Sequence, residues 1–291
     1  MVHSSPLAGR VVLVTGAARG IGAHTARLLA ERGAYVSLTG LEPERLAGLA
    51  AELGDDRHAW FECDVTDQKS VDAAVAATAE RFGHIDVVMA NAGVAAYGTV
   101  RTYDPDAFAR TIDVNLTGVF RTVHAALPHI IERRGYVLAV ASLASFTPVA
   151  GLAAYAASKA GVDSLACALR QEVAHLGVSV GSAHPSWIDT DMVRGAQRDL
   201  SSFGEALRRM PPPANSTTSV DRCAKAIVRG IERRARRIYV PRTVAGANWL
   251  RAVLSSPLAD RVAARTTPSL IPRMEEEVAR LGRSFGEHVG S

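Results

Sequence analysis

The sequence RVVLVTGAARGIGAHTARLLAERG, residues 10–33, sets the architecture of the chain. Residues 10–15 form a β-branched apolar run, typical of a strand that is buried on both faces of a parallel sheet. A turn with three glycines follows and leads into an amphipathic helix that ends at residue 33. Small residues let the backbone approach a pyrophosphate, while the helix N-terminus offers unpaired N–H groups and a partial positive charge. We therefore expect a dinucleotide to bind at Gly16, Arg19, Gly20, Ile21 and Gly22.

The unit of strand and helix recurs along the chain. Apolar runs predict further strands at residues 35–39, 58–63, 85–90, 136–141, 178–183 and 237–241, with helices at 44–53, 70–82 and 104–134. Strands that alternate with helices indicate a parallel sheet. We predict an α/β fold: a Rossmann-type doubly wound parallel sheet of about seven strands, with helices on both faces and a C-terminal helical extension. The predicted Rossmann-type domain spans residues 1–242 and the extension spans residues 243–291.

Composition argues against several classes of protein. The chain has 291 residues, 48% of them hydrophobic, which is enough for one substantial core. Residues 222–283 hold fourteen basic and five acidic side chains but only two aromatic ones, so no nucleic-acid partner is expected. The three cysteines are widely spaced in no metal-ligand pattern, so no metal site is expected. The first ten residues contain no apolar signal region, and a cytoplasmic location is expected.

The nucleotide preference is predicted from the end of the second strand. Many dinucleotide-binding folds place an acidic residue there, which binds the adenosine ribose hydroxyls and repels a 2′-phosphate. The matching positions are Thr39, Gly40 and Leu41, and none of them is acidic. Arg19 could instead face a 2′-phosphate, so NADP(H) is favoured over NAD(H). The alternative is that Arg19 is a solvated turn residue.

Two short segments at strand ends are candidates for further cofactor contacts. Asp64 and Val65 follow the third strand, where a carboxylate and the main chain could pair with the adenine edge. Alternatively, Asp64 caps the next turn. Asn91, Ala92 and Gly93 close the fourth strand, and their small size leaves room for a ribose.

A second motif, SLASFTPVAGLAAYAASK at residues 142–159, contains the candidate chemistry. Tyr155 and Lys159 lie four residues apart in an alanine-rich run that favours helix, so their side chains share one face. A cation about 4 Å from a phenol, at an effective dielectric constant of roughly 20, would lower the pKa of the phenol by about three units. Tyr155 could then serve as a general acid/base near neutral pH. The alternative is a surface tyrosine and a solvated lysine on an ordinary helix.

Two further polar residues and one long segment are candidates for the same site. Ser142 follows the fifth strand, at the carboxyl end where ligands bind in open α/β sheets. Asn115 lies mid-helix among apolar residues, where a buried amide needs hydrogen-bond partners; it is either a site residue or a core residue that stabilises a kink. Residues 186–218, which include three consecutive prolines at 211–213, are predicted to form an irregular, mobile substrate lid.

These motifs together resemble the short-chain dehydrogenase/reductase family in order and spacing, including thirteen residues from Ser142 to Tyr155. The resemblance covers roughly residues 8–242. It implies that Tyr155 is the general acid/base and that Lys159 holds the nicotinamide ribose and lowers the pKa of Tyr155. It also implies that Ser142 hydrogen-bonds the substrate oxygen and that Asn115 positions a water for proton relay.

The resemblance extends to the segment after the sixth strand and to the assembly. It implies cofactor contacts at Pro185 and, through the carboxamide, at Ile188 and Thr190. Ser186 departs from the glycine that the family usually has after this proline. Because the family usually packs its long central helices into dimers and tetramers, a homo-oligomer is expected.

The segment after residue 241 exceeds the minimal length of the family by about fifty residues, with apolar positions at helical spacing and arginines between them. Three interpretations stay open: helices packed on the main domain or on a second subunit, a basic amphipathic surface that touches a membrane, or disorder. A membrane-touching tail would suit a lipophilic substrate. The candidate substrate-lining residues are accordingly apolar: Leu143, Val149, Trp187 and Met192.

The sequence thus predicts an NAD(P)-dependent oxidoreductase that interconverts a secondary alcohol and a ketone on an apolar small molecule. An enoyl or imine reductase on the same scaffold is the first alternative. The second is a dinucleotide-binding sensor without turnover, against which the intact Ser142, Tyr155 and Lys159 argue, because a sensor needs only the cofactor site.

Overall fold

One parallel sheet organises the molecule. The computed structural model describes residues 5–54, 57–210, 215–254 and 256–285. Its seven strands lie in the order β3-β2-β1-β4-β5-β6-β7, which confirms the predicted sheet. The strands are β1 (Val11–Thr15), β2 (Tyr35–Gly40), β3 (His58–Glu62), β4 (Val87–Ala90), β5 (Tyr136–Val140), β6 (Ser179–Pro185) and β7 (Arg237–Val240). The chain reverses its winding between β1 and β4, the place where open α/β sheets form a cleft at the carboxyl ends of their strands.

Helices cover both faces of the sheet. They are α1 (Gly20–Glu31), α2 (Pro43–Leu53), α3 (Gln68–Phe82), α4 (Pro105–Ile112), α5 (Gly118–Glu132), α6 (Ala153–Val173), α7 (Asp191–Asp199), α8 (Ser201–Arg209), α9 (Val220–Glu232), α10 (Val244–Trp249), α11 (Arg251–Leu254) and α12 (Pro257–Leu281). Successive strand residues point to opposite faces. Val12 and Val14 therefore pack with α1, α2 and α9, while Leu13 packs with α3, α5 and α6.

Two predictions about local structure were wrong. The expected continuous helix over residues 104–134 is interrupted by a π-helical turn at Asp113–Thr117. The segment 186–218 is not irregular, because it contains α7 and α8. The three prolines at 211–213 lie outside the described residues.

The C-terminal extension packs on the main domain through α12. Met274 is buried against Gly151, and the main chain of Ser284 accepts a hydrogen bond from Tyr97 N at 2.8 Å. This arrangement matches the first of the three interpretations of the tail. Within the described residues, no helix combines the length and apolar character needed to cross a membrane.

Candidate active site

The glycine turn after β1 is closely packed by backbone. Gly16 and Gly20 have positive φ angles of 64° and 54°, which L side chains rarely adopt. A Cβ at Gly16 would lie 2.8 Å from Ala92 Cα, and one at Gly22 would lie 2.2 Å from the carbonyl oxygen of Gly16. Helix α1 begins here without a side-chain cap, which leaves its first N–H groups facing the cleft. The turn therefore fits the pyrophosphate of a dinucleotide.

The end of β4 is tied to this turn by hydrogen bonds. Asn91 Nδ2 donates to the carbonyl oxygens of Thr15 and Gly16 at 2.9 and 3.2 Å. The main-chain N–H groups of Asn91 and Ala92 both donate to the Thr15 hydroxyl, at 3.0 and 3.2 Å. Sequence reasoning singled out Asn91, Ala92 and Gly93 but not Thr15, whose hydroxyl fixes the two loops at the β1/β4 switch point.

Asp64 makes the contacts of a turn cap. Its Oδ1 accepts from the N–H and hydroxyl of Thr66 at 2.8 and 2.7 Å, while Asp67 caps α3 through the N–H of Lys69. The carbonyl of the neighbouring Val65 accepts from Arg121 at 3.2 Å. The capping alternative thus describes the contacts within the protein, and pairing of Asp64 and Val65 with adenine stays a prediction.

Arg19 is paired with an acid that the sequence reasoning did not consider. Its Nε donates to Glu42 Oε2 at 2.9 Å, and its second guanidinium nitrogen contacts the other carboxylate oxygen. Glu42 lies two residues beyond β2, one position past the three that were compared. Arg45 reaches the same carboxylate at 3.7 Å. Burial and the nearby charge of Arg45 lower the pKa of Arg19. Two guanidinium groups thus surround one carboxylate beside the glycine turn.

Ser142, Tyr155 and Lys159 converge at the carboxyl end of β5. Ser142 is buried, and its hydroxyl hydrogen-bonds Tyr155 and accepts from Ala144 N at 3.2 Å. Lys159 lies one helical turn beyond Tyr155 on α6, and its ammonium donates to the carbonyl oxygen of Val140 at 2.9 Å. The sequence prediction that these three side chains share one site agrees with this geometry.

The pKa of Tyr155 differs from the expectation. Burial raises the pKa of the phenol, and the hydrogen bond from Ser142 offsets only part of this rise. The Lys159 ammonium is directed at Val140 and lies 5.8 Å from the centre of the Tyr155 ring. Burial also lowers the pKa of Lys159 to about 8. For the groups of the protein alone, the net shift of the Tyr155 pKa is upward, because desolvation of the phenol outweighs the hydrogen bond from Ser142. A lowering of this pKa by Lys159 stays a prediction.

Asn115 is fully buried and its amide is satisfied by protein groups. Its Oδ1 accepts from Val94 N at 2.7 Å, and its Nδ2 donates to Val94 O at 2.9 Å and to the Ser158 hydroxyl at 3.1 Å. Asn115 lies in the π-helical turn, so the local widening brings it to the loop after β4. A Cβ at Gly93 would lie 3.1 Å from Asn115 Oδ1 and 3.4 Å from Lys159 Nζ, so these two side chains meet at Gly93.

The segment after β6 borders the glycine turn. A Cβ at Gly20 would lie 3.5 Å from Thr190 Cγ2. Ile188 is buried and bridges to Thr218, and Thr190 N donates to Ile188 O at 2.7 Å. Pro185 ends β6, and its carbonyl lies 3.5 Å from the Ser142 hydroxyl. Pro185, Ile188 and Thr190 therefore lie between the glycine turn and the Ser142 site.

A small apolar cavity of about 20 Å³, with room for one water molecule, lies beside the apolar cluster on which Tyr155 packs. Of the four predicted lining residues, Val149 and Trp187 border it; Leu143 and Met192 do not, and Met192 is largely exposed. The remaining lining residues were not predicted: Tyr97, Ala150, Gly151, Leu152, Leu200, Phe203, Ala206, Leu207, Met210 and Met274. Four of these ten come from α8 and α12, whose contacts with the cavity have no signature in local sequence.

Helix α12 secures the helices that cover this cavity. Glu277 accepts from the N–H and the hydroxyl of Ser202 at 3.1 and 2.6 Å, at the start of α8. Arg273 contacts Glu205 at 2.9 Å, and Arg283 contacts Asp199 at 3.0 Å. The predicted mobile lid is therefore a pair of helices held from the far side by the extension.

Comparison with known proteins agrees with this geometry. The family model for short chain dehydrogenase matches residues 10–201. The chain is 36% identical over 210 residues to trans-4-hydroxycyclohexanecarboxylate dehydrogenase of Sinomonas cyclohexanicum, covering 69% of this chain and 80% of that protein. It is 37% identical over 190 residues to an uncharacterized oxidoreductase of Staphylococcus saprophyticus, covering 64% and 81%.

A third relative is much longer. Glycine betaine reductase of Emericella nidulans is 34% identical over 218 residues, which cover 74% of this chain and 17% of that protein.

The region that the family model matches contains the glycine turn, the loop after β4, Ser142, Tyr155 and Lys159. Because the family model matches most of the chain, the chain belongs to the short-chain dehydrogenase/reductase family and is an NAD(P)-dependent oxidoreductase.

Proposed function

We propose that the enzyme interconverts a secondary alcohol and a ketone on an apolar small molecule, with Tyr155 as the acid/base. The convergence of Ser142, Tyr155 and Lys159 at the strand tip, beside an apolar cavity and near the glycine turn, supports this function. The bound nicotinamide would supply or accept the hydride. Ser142 and Tyr155 would bind the reacting oxygen, and Tyr155 would transfer the proton between its own hydroxyl and that oxygen.

The raised pKa of Tyr155 keeps the phenol in the protonated form that carbonyl reduction uses. A neutral phenol is the form that donates a proton to the oxygen as negative charge develops there. Oxidation requires the phenolate, which gains stability from the positive charge of Lys159 and of the oxidised cofactor. In this proposal Lys159 holds the nicotinamide ribose, and Asn115 holds the loop that borders the ribose.

NADP(H) is the proposed cofactor, held by Gly16, Gly20, Ile21, Gly22, Asp64, Val65, the loop after β4 and the segment from Pro185 to Thr190. The two guanidinium groups of Arg19 and Arg45 beside the single carboxylate of Glu42 support this preference. A 2′-phosphate would replace Glu42 as the partner of Arg19. Glu42 could instead accept from ribose hydroxyls, so NAD(H) remains the competing cofactor.

A coupled assay tests the proposal. NADPH and NADH are first titrated by fluorescence, and oxidation of the tighter-binding one is then followed with ketones of increasing size, with enoyl compounds and with imines. Faster turnover of apolar ketones than of the other two classes is expected. Turnover confined to enoyl or imine substrates, or cofactor binding without turnover, would contradict it.

We further propose that residues 1–242 form the catalytic domain and that the enzyme is a homo-oligomer through α4 and α5. Phe108 and Phe120 on these helices are exposed by 37% and 49%. Exposed aromatic side chains on adjacent helices suit an isologous contact. Sedimentation equilibrium should give a dimer or tetramer, and Phe120→Glu should lower the association state. A monomer at micromolar concentration would contradict the proposal.

The extension suits a peripheral contact with anionic lipid. Residues 249–254 are all exposed; Trp249 is 84% exposed, and Leu250, Val253 and Leu254 follow it. Exposed Arg242 and Arg251 add positive charge to this strip. Cosedimentation with anionic vesicles at low salt should retain the enzyme, and Trp249→Ala should weaken retention. Absence of binding to anionic vesicles would contradict the proposed membrane contact.

A further inference from the structure

A buried histidine lies directly behind Ser142. His184, the residue before Pro185 on β6, has no exposed surface and packs on Phe146 and Tyr239, with ring centres 4.6 and 5.5 Å away. Its Nδ1 lies 3.3 Å from the carbonyl oxygen of Ser142. A carbonyl oxygen only accepts, so Nδ1 carries a proton and donates to it.

The other ring nitrogen faces a carboxylate on the helix that presents Tyr155 and Lys159. His184 Nε2 lies 2.9 Å from the Ser182 hydroxyl and 3.4 Å from Asp163 Oδ1. Asp163 follows Lys159 by four residues on α6, so Tyr155, Lys159 and Asp163 occupy successive turns of one helix face. Arg237 Nη2 donates to Asp163 Oδ2 at 3.1 Å.

This buried network is fully bonded. Burial alone would raise the pKa of Asp163, but hydrogen bonds from His184 and Ser182 and the charge of Arg237 hold it below its usual value. Satisfied buried networks fix the geometry of their members, because each unpaired group would be costly. The network joins α6, β6 and β7 to the main chain of Ser142.

We propose that His184, oriented by Asp163 and Ser182, is a positioning residue that holds the main chain of Ser142 so that its hydroxyl faces the substrate oxygen. This proposal rests on the proposed function, in which Ser142 binds that oxygen. The hydroxyl of Ser142 hydrogen-bonds Tyr155, accepts from Ala144 N at 3.2 Å and lies 3.5 Å from the carbonyl oxygen of Pro185. The carbonyl oxygen of Ser142 accepts from Ser145 N at 3.1 Å and from His184 Nδ1, so His184 is the side chain that ties this main chain to β6.

Matched amide variants test this role. In His184→Asn the side-chain N–H₂ takes the place of Nδ1–H, whereas in His184→Gln the amide reaches the position of Nε2 and leaves the Ser142 carbonyl with the N–H of Ser145 but without its side-chain donor. We expect His184→Gln to lower kcat for ketone reduction by about 10²-fold, as misplaced catalytic groups do, with an unchanged Kd for NADPH. His184→Asn should recover most of the loss. His58→Ala is the control, because this buried histidine bonds Val36 N at the far end of the sheet and should change stability but not kcat.

A double-mutant cycle with Ser142→Ala separates positioning from a general effect on structure. If His184 acts through the Ser142 hydroxyl, His184→Gln should cause less than a twofold further loss in the Ser142→Ala background. An equal loss in both backgrounds, or an Asn variant as slow as the Gln variant, would overturn the inference. Full activity of Ser142→Ala would instead overturn the proposed function. Thermal unfolding of each variant confirms that folded enzymes are compared, and Asp163→Asn, which keeps the packing, gives the same cycle if the Gln variant does not fold.

Discussion

The glycine turn and the helical cover of the cavity are stabilised by different kinds of contact. At the turn, backbone packs on backbone, with Gly16 against Ala92 and Gly22 against the carbonyl of Gly16. At the cover, charged side chains such as Glu277 and Arg273 join α12 to α8 across more than sixty residues of sequence. We therefore expect the turn to be rigid and the cover to open more easily, by exchanging side-chain partners for water. This difference suits an invariant cofactor and a substrate that must enter and leave.

The largest effect is expected at the turn. Gly22→Ala forces a Cβ to within 2.2 Å of the Gly16 carbonyl, so the backbone must shift. NADPH affinity should fall by about 10²-fold or more, as measured by fluorescence titration. Gly48→Ala on α2 is the control, because a Cβ there has nothing within 4 Å and should leave NADPH affinity unchanged. Wild-type affinity in Gly22→Ala would show that the turn is not rigid.

The rate of ketone reduction should depend on pH through Lys159. Burial lowers its pKa to about 8, so the ammonium is present below that pH and is lost as the pH rises through it. Because the pKa of Tyr155 is raised, the phenol stays protonated over this range. The rate of ketone reduction should therefore fall about tenfold per pH unit above 8. Lys159→Gln should reduce the ketone slowly at every pH and should not show this fall in rate above pH 8. The same fall in the variant would assign it to another ionisable group.

A smaller, selective effect is expected at Arg19. Arg19→Gln removes the guanidinium that would hold a 2′-phosphate, a charge-assisted hydrogen bond that contributes about 1.5–3 kcal/mol. NADPH affinity should fall about 10- to 100-fold while NADH affinity stays within about twofold. The control is Arg27→Gln on α1, whose partner is Glu52. Equal losses for both cofactors would argue against NADP(H) as the natural cofactor.

The smallest effect is expected at the cover. Glu277→Gln replaces an acceptor for Ser201 and Ser202 with a weaker one, and KM should rise by about fivefold, equivalent to about 1 kcal/mol. Hydrogen bonds from these serines hold the pKa of Glu277 below its usual value although burial opposes the shift. The ionised form of Glu277, which accepts from these serines, is thus lost as the pH falls through that lowered pKa. Glu276→Gln, at an exposed neighbour, should leave KM unchanged.

The same contrast explains what the sequence predicted. The turn is encoded within residues 10–33, where glycine spacing and apolar runs dictate the backbone, and β1 begins within one residue of its predicted start. The loop after β4 and the grouping of Ser142, Tyr155 and Lys159 follow from their places at strand tips. These contacts depend on local pattern and on topology, both of which the residues specify.

The features that the sequence did not predict depend on contacts between distant segments. The π-helical turn forms because Asn115 bonds both main-chain groups of Val94, twenty-one residues away. The pairing of Glu42 with Arg19 depends on where β2 ends in the fold. Likewise, the pKa of Tyr155 depends on its burial against residues from distant segments, and the four-residue spacing to Lys159 does not specify that burial.

Tyr155→Phe tests the central claim most directly. Wild type, this variant and the control Tyr35→Phe are each loaded with the preferred cofactor and mixed with the best ketone in a stopped-flow instrument. We expect cofactor affinities within about twofold of one another, normal hydride transfer in the control, and transfer slowed about 10³-fold or more in Tyr155→Phe. Reduction of the ketone by Tyr155→Phe at the wild-type rate would contradict it.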